Sequence, residues 1–174
     1  VQMHNMGSAP QGIVCRMHNL DAVDARILLA LDNAPEASLI EIAARLGVSR
    51  NTVHARLKRL RDGGALGTPS APLSPAAIGR PLLAFVTLSV SQQQIDSVYA
   101  AIGAIPEVIE AHTTTGDADL MLRVVARDTV DLHRITQGIQ LAPGVQRSST
   151  SIATTEVIPH RMSLLLHRLA ENDS

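Results

Sequence analysis

The sequence predicts an α+β protein in two parts, a helix-turn-helix domain followed by a ferredoxin-like βαββαβ domain. Three observations carry this. Apolar residues recur at helical spacing through residues 21–62, broken by a glycine-containing turn at Gly47. After Pro81 the apolar period drops to two, then alternates with helical stretches in β-α-β-β-α-β order. Charge divides at the same place. Residues 1–80 carry nine Lys/Arg against six Asp/Glu, residues 81–174 six against ten, so a basic half precedes an acidic one.

Asp21 opens the first helix, with Val23, Ile27, Leu28 and Leu31 as its stripe and Ala34-Pro35 as its end. Ser38 is an N-cap for a second helix bearing Leu39, Ile42, Ala43 and Leu46. Gly47 suits the left-handed turn that closes it, and Val48 points back to the core. Ser49 caps a third helix from Arg50 to about Asp62, which Gly63-Gly64 stops. On this helix Val53, Leu57 and Leu60 face inward. Asn51, Ala55, Lys58 and Arg59 fall opposite; Arg50, His54 and Arg61 flank one side, Thr52 and Arg56 the other. That outer face offers Asn, Thr and His for base edges, Ala for a thymine methyl, and Arg and Lys for phosphates or guanine. A solvated basic face would look similar. The single sign of the charge, on the second helix of a helix-turn-helix, favours double-stranded DNA.

Gly64 to Pro81 is rich in Gly, Pro, Ser and Ala and reads as the linker, with Ala65–Ser70 a short strand or extended arm. Leu82–Val90 alternates as a strand, and Ile95, Val98 and Ile102 mark a helix within 91–103. Glu107–Thr115 is the second strand, Gly116-Asp117-Ala118-Asp119 a turn, and Leu120–Ala126 the third strand. Asp128 or Thr129 caps a helix bearing Leu132, Ile135 and Ile139. Pro143-Gly144 turns into a Ser/Thr-rich strand from Val145 to about Val157, and residues 160–170 form a terminal helix. A four-stranded sheet with helices on one face needs cover on the other, and a second copy of itself is the economical cover.

Composition narrows the function classes. Phe85 and Tyr99 are the only aromatics, so the core is aliphatic and nucleic-acid recognition by aromatic stacking is disfavoured. A single cysteine, Cys15, allows no internal disulfide framework and fits a reducing cytoplasm. No apolar run reaches the ~20 residues of a membrane span. Residues 1–19 lack the apolar core of a signal peptide and any sustained period, so they are expected to be a flexible tail. No zinc, nucleophile-elbow or cofactor motif is present.

The chain resembles the leucine-responsive, or feast/famine, regulators of bacteria and archaea (the Lrp/AsnC family). The residues that carry the resemblance are Leu20-Asp21, Asp24 and Ile27-Leu28; Glu41, Ala43, Gly47, Ser49, Val53, Arg56 and Lys58-Arg59-Leu60; and Pro106-Glu107-Val108, Gly116-Asp117-Ala118-Asp119 and Pro143-Gly144-Val145. It spans about residues 20–160. Two departures stand out: Gly67-Thr68-Pro69 replaces the aromatic usual in the linker strand, and Arg61 stands where an acidic residue commonly follows the leucine.

The resemblance implies a winged-helix-like DNA-binding domain at 20–64, a linker at 65–81 and a ligand-responsive dimerisation domain at 82–160. A tail at 1–19 and a C-terminal helix and tail at 161–174 flank them. It implies a cytoplasmic, nucleoid-associated transcriptional regulator, dimeric and assembling to octamers. Ser49, Arg50, Asn51, Thr52, His54, Ala55, Arg56, Lys58 and Arg59 form the expected DNA-reading set. The turn with Thr114, Thr115, Gly116, Asp117 and Asp119 corresponds to the effector region, for an amino acid or other small metabolite. Exposed N–H groups and hydroxyls suit a carboxylate, and an Asp suits an ammonium group. Equally, the Asp side chains could cap their own backbone.

Two other functions share these features. One is a sirohaem-decarboxylase-like enzyme on a similar two-part build, in which His54, His112, His133, His160 and His167 would matter. The other is a low-specificity DNA-architectural protein.

Overall fold

A computed structural model describes residues 20–67 and 73–171, so the expected tail at 1–19 and residues 68–70 of the expected arm Ala65–Ser70 lie outside the described residues, and residues 65–67 form no strand. The described chain forms two compact units, one of residues 20–67 with 158–171, the other of residues 73–157.

The first unit begins with α1 (Ala22–Asn33), α2 (Leu39–Leu46) and α3 (Arg50–Asp62). Each starts where its sequence supplies an oxygen for orphan N–H groups. Asp21 and Asp24 form a reciprocal capping box on α1, with N···O distances of 2.9 and 3.1 Å. Ser38 and Glu41 do the same on α2. The Ser49 hydroxyl accepts from the Thr52 N–H at 3.0 Å to start α3. Gly47 ends α2 at φ 66°, a left-handed conformation that glycine adopts without Cβ strain. Ile27, Ile42, Ala43, Val53 and Leu57 meet in one buried cluster.

Burial on α1 is wider than its single predicted stripe. Ala22, Ala25 and Leu29 are buried too, outside that cluster. The terminal helix α6 (Ser163–Glu171) packs on α1 within the same unit, so α1 has a neighbour besides α2 and α3.

The second unit holds β1 (Leu82–Val90), α4 (Ile95–Gly103), β2 (Val108–Thr113), β3 (Leu120–Ala126), α5 (Thr129–Gln140) and β4 (Val145–Ile152). The strands are antiparallel in the order β2-β3-β1-β4, the ferredoxin-like arrangement. Ala84, Val86, Leu88 and Val90 point to the helix side, where they bury with Leu122, Val124, Val98, Ile135 and Ile139. The alternate residues form an open face. There Phe85 pairs across to Arg123 and Ser151, and Thr87 to Met121 and Ser149.

Strand β4 ends at Ile152, short of the expected Val157. Its partner has run out: Ile152 is opposite Ala84, and the Ala153 N–H reaches Leu83 at the start of β1. Gly144 turns into β4 at φ 97°, and a Cβ there would lie 2.8 Å from the Gln94 and Val98 side chains. Before β1, Arg80 pairs with Glu107 and Asp131, both buried. Arg127 and Arg134 also converge on Asp131, and their hydrogen bonds, with Arg127 foremost, hold its carboxyl well below the usual range.

Candidate DNA-reading helix and effector turn

The outer residues of α3 divide into two sets. Asp24, on the first turn of α1, is fully buried and carries a carboxylate. Arg56 reaches it at 3.0 Å and Asp21 at 2.5 Å, and Arg59 pairs with Asp24 as well. Two arginines of α3 are therefore clamped onto the N-terminus of α1, where a carboxylate also favours the helix dipole. The Arg56 guanidinium is the main cause that holds Asp21 down to about 2 from an ordinary 3.8. The two aspartates in turn raise Arg56. Arg56, placed in the expected DNA-reading set, is only partly exposed. Its guanidinium is engaged inside the unit, because a buried carboxylate is tolerated only when it is paired. Arg59 is half exposed and shares that role.

The remaining set is free to meet a ligand. Arg50, Asn51, His54, Ala55 and Arg61 are exposed on α3. Arg50 and Arg61 form no ion pair with any described residue. Lys58 pairs only with Asp62 one turn on, at 2.5 Å, where both side chains are well exposed; such pairs contribute ~0.3–0.5 kcal/mol and yield readily to a phosphate. Ser49 and Thr52 are joined at 2.8 Å through their hydroxyls and shape the N-terminus of α3. Arg61 lies beside Arg50 and His54 on the same side of α3, outside the expected DNA-reading set.

In the turn expected to meet an effector, the structure brings Thr114, Ala118 and Asp119 together. The Thr114 hydroxyl donates to the Ala118 carbonyl at 2.6 Å, and the Thr114 N–H to the Asp119 carbonyl at 3.0 Å. The Asp119 N–H donates to the Leu88 carbonyl, and its carboxylate accepts from the Val90 N–H at 2.8 Å. Val90, two residues on from Leu88, faces the β3 side beyond the last pair Leu88–Leu120, and Asp119, just before β3, satisfies its N–H. Thr114 and Asp119 thus brace the turn. Thr115, Gly116 and Asp117 are exposed.

His112 faces Glu110 at 2.8 Å, and that contact lowers Glu110. Among the described residues no group of three or more His, Cys, Asp or Glu could hold a metal ion. No described helix is long and apolar enough to cross a membrane.

A basic recognition helix on a helix-turn-helix, in one chain with a ferredoxin-like sheet domain, defines a DNA-binding regulator with a separate sensing or assembly domain. The AsnC-type helix-turn-helix domain matches residues 20–61 and the Lrp/AsnC ligand binding domain residues 83–163, and the chain belongs to this family of transcriptional regulators. It is 31% identical to the HTH-type transcriptional regulator FL11 of Pyrococcus horikoshii over 133 residues, 76% of this chain and 88% of that one. AsnC of E. coli superposes with a TM-score of 0.74 at 27% identity, covering 83% of this chain and 98% of that one. A transcriptional regulator of Neisseria meningitidis in complex with L-Met superposes at 0.73 with 28% identity, covering 86% and 99%.

Proposed function

We propose that the chain represses or activates transcription as a homodimer that reads duplex DNA with Arg50, Asn51, His54, Ala55, Lys58 and Arg61, and that it performs no catalysis. The single observation that supports this reading most is the split of α3. Arg56 and Arg59 anchor the helix to α1, while the cations left over lie on one outward surface. Two copies joined through the open sheet face would present two such helices to one DNA duplex, a helical turn (~34 Å) or a multiple apart.

The test is retardation of the chain's own upstream DNA and of random duplex across a salt series. Lys58→Ala and Arg61→Ala should each weaken both duplexes alike and flatten the salt slope by about one unit. Asn51→Ala should instead narrow the gap between specific and random DNA. Unchanged affinity in the triple change Arg50/Lys58/Arg61→Ala at physiological salt would remove α3 as the reader. A constant affinity ratio near one would favour the architectural reading, and a Soret band on adding sirohaem the enzyme.

Regulation by an amino acid belongs to this reading. The Neisseria relative was solved with L-Met, and Asp117 or Asp119 could meet an ammonium group. Asp119→Asn isolates the charge, since the amide oxygen can still accept from Val90. If Asp119 is the ligand group, that change should lower amino-acid affinity by about 1.5–3 kcal/mol, read as a lost shift in melting temperature and sedimentation. A response that survives it leaves Asp119 as a brace of the turn. In the same screen, cytoplasmic octamer formation is expected to respond to the same amino acid.

A further inference from the structure

The last part of the linker is a closed turn. Residues Pro75–Ile78 form a short 3-10 helix, and Gly79 ends it at φ 74°. The Gly79 N–H donates to the Ala76 carbonyl at 3.0 Å and the Arg80 N–H to the Pro75 carbonyl at 2.9 Å, so the chain folds back on itself just before β1. From this turn the Arg80 side chain reaches into the sheet domain. It meets Asp131, in the first turn of α5, at 3.2 Å and Glu107, just before β2, at 3.3 Å. The two carboxylate side chains are 1% and 9% exposed, so water and salt screen these pairs poorly.

Arg80 is the surplus cation of this cluster. Arg134 pairs with both carboxylates and Arg127 with Asp131, so two negative charges already face two positive ones. Pairing the buried charges needs no third guanidinium. What Arg80 adds is a bond between the linker and the domain that the linker enters. The two units are connected twice, through the linker and through residues 153–162 between β4 and α6. With residues 75–81 held against the sheet domain, the stretch of linker between the units shortens to 65–74, the same length as 153–162. Residues 75–81, if released and extended, would add ~23–25 Å of reach.

From this juxtaposition we infer that Arg80 is a positioning residue for DNA recognition. It keeps the linker short, and so limits the separations at which the two recognition helices of a dimer are presented. Released, each helix-turn-helix unit would pivot on its other connection and accept a wider range of half-site spacings. This role rests on the DNA-reading dimer proposed above, and it makes spacing preference depend on a residue outside α3.

The test joins two measurements on the full chain. The first is retardation of its own upstream DNA, intact and with about half a helical turn or one full turn (~5 or ~10 base pairs) inserted at the centre of the bound region. The second is amide exchange of the free protein. The half-turn insertion should weaken the parent by about tenfold or more, and Arg80→Gln by no more than about threefold. Arg80→Lys, which keeps the charge without the fork, should fall between them. Arg127→Gln removes a guanidinium from the same cluster without touching the linker, and should match the parent. In the free chain Arg80→Gln should speed exchange of the N–H groups of residues 79 and 80 by about tenfold or more. Both carboxylates keep Arg134 in this variant, so the sheet domain should fold; an unchanged dimer dissociation constant checks that. A spacing profile that Arg80→Gln leaves unaltered overturns the positioning role, as does an Arg127→Gln profile that broadens equally. Unchanged exchange overturns the hold on the linker itself. If the parent retards no duplex, the DNA-reading proposal fails and this role falls with it, whereas accelerated exchange would still show Arg80 holding the linker.

Discussion

The double change Arg56/Arg59→Ala is expected to destabilise the helix-turn-helix unit by about 3–5 kcal/mol, the cost of leaving a buried charge without its partners. The stranded group is Asp24, which is 0% exposed and relies on those two arginines from α3. A unit of this size has only about 5–15 kcal/mol in hand, so its first calorimetric transition should fall well below that of the parent, with loss of DNA retardation. Either single change should cost less, since the other arginine remains. Adding Asp24→Ala to the double variant should restore much of the loss, because the desolvated charge is then gone. A double variant as stable as the parent, or a triple variant less stable than the double, would contradict the clamp.

The same cluster sets an acid limit. Asp21 sits near 2 when folded against 3.8 unfolded, so its contribution is complete above pH 3.8 and is lost as pH falls through 2. The unit's acid-unfolding midpoint should move up in Arg56→Ala, because Asp21 loses the group that depresses it.

The second large effect is expected at Phe85. This residue is 40% exposed at the centre of the open sheet face, with Met121 at 41% near it and Leu83 on the same side of β1. Hydroxyls of β4 and the Glu110–His112–Arg123 group of β2 and β3 border this strip. An apolar centre with a polar rim is the anatomy of a protein interface. Phe85→Asp places a charge where a second copy would desolvate it, so the dimer dissociation constant should rise by about a hundredfold or more. Sedimentation equilibrium reads this directly, and the exposed position spares the monomer's fold. A dimer of unchanged affinity would move the interface elsewhere.

The amino-acid sequence alone carried the local structure. The caps at Asp21, Ser38 and Ser49, the left-handed turn at Gly47 and the period-two stripe of Leu82–Val90 are short-range signals, and each element formed where its signal lay. Family membership was equally legible, since it rests on residues at fixed spacing along the chain. What tertiary structure decided was the use of each side chain. On a wheel Arg56 and Arg59 show no ion-pair partner inside the chain, because a wheel shows a helix without its neighbours. Asp24 lies more than thirty residues away, and only folding brings it under them. Asp119 likewise reads as a free carboxylate until sheet pairing sets it beside the Val90 N–H, past the end of the β1–β3 ladder. The packing of α6 on α1 joins the two ends of the described chain, and Arg80 joins the linker to α5 and to the residue before β2. Such contacts follow from strand register and chain return, which depend on the whole hydrophobic pattern and leave no mark in any local stretch.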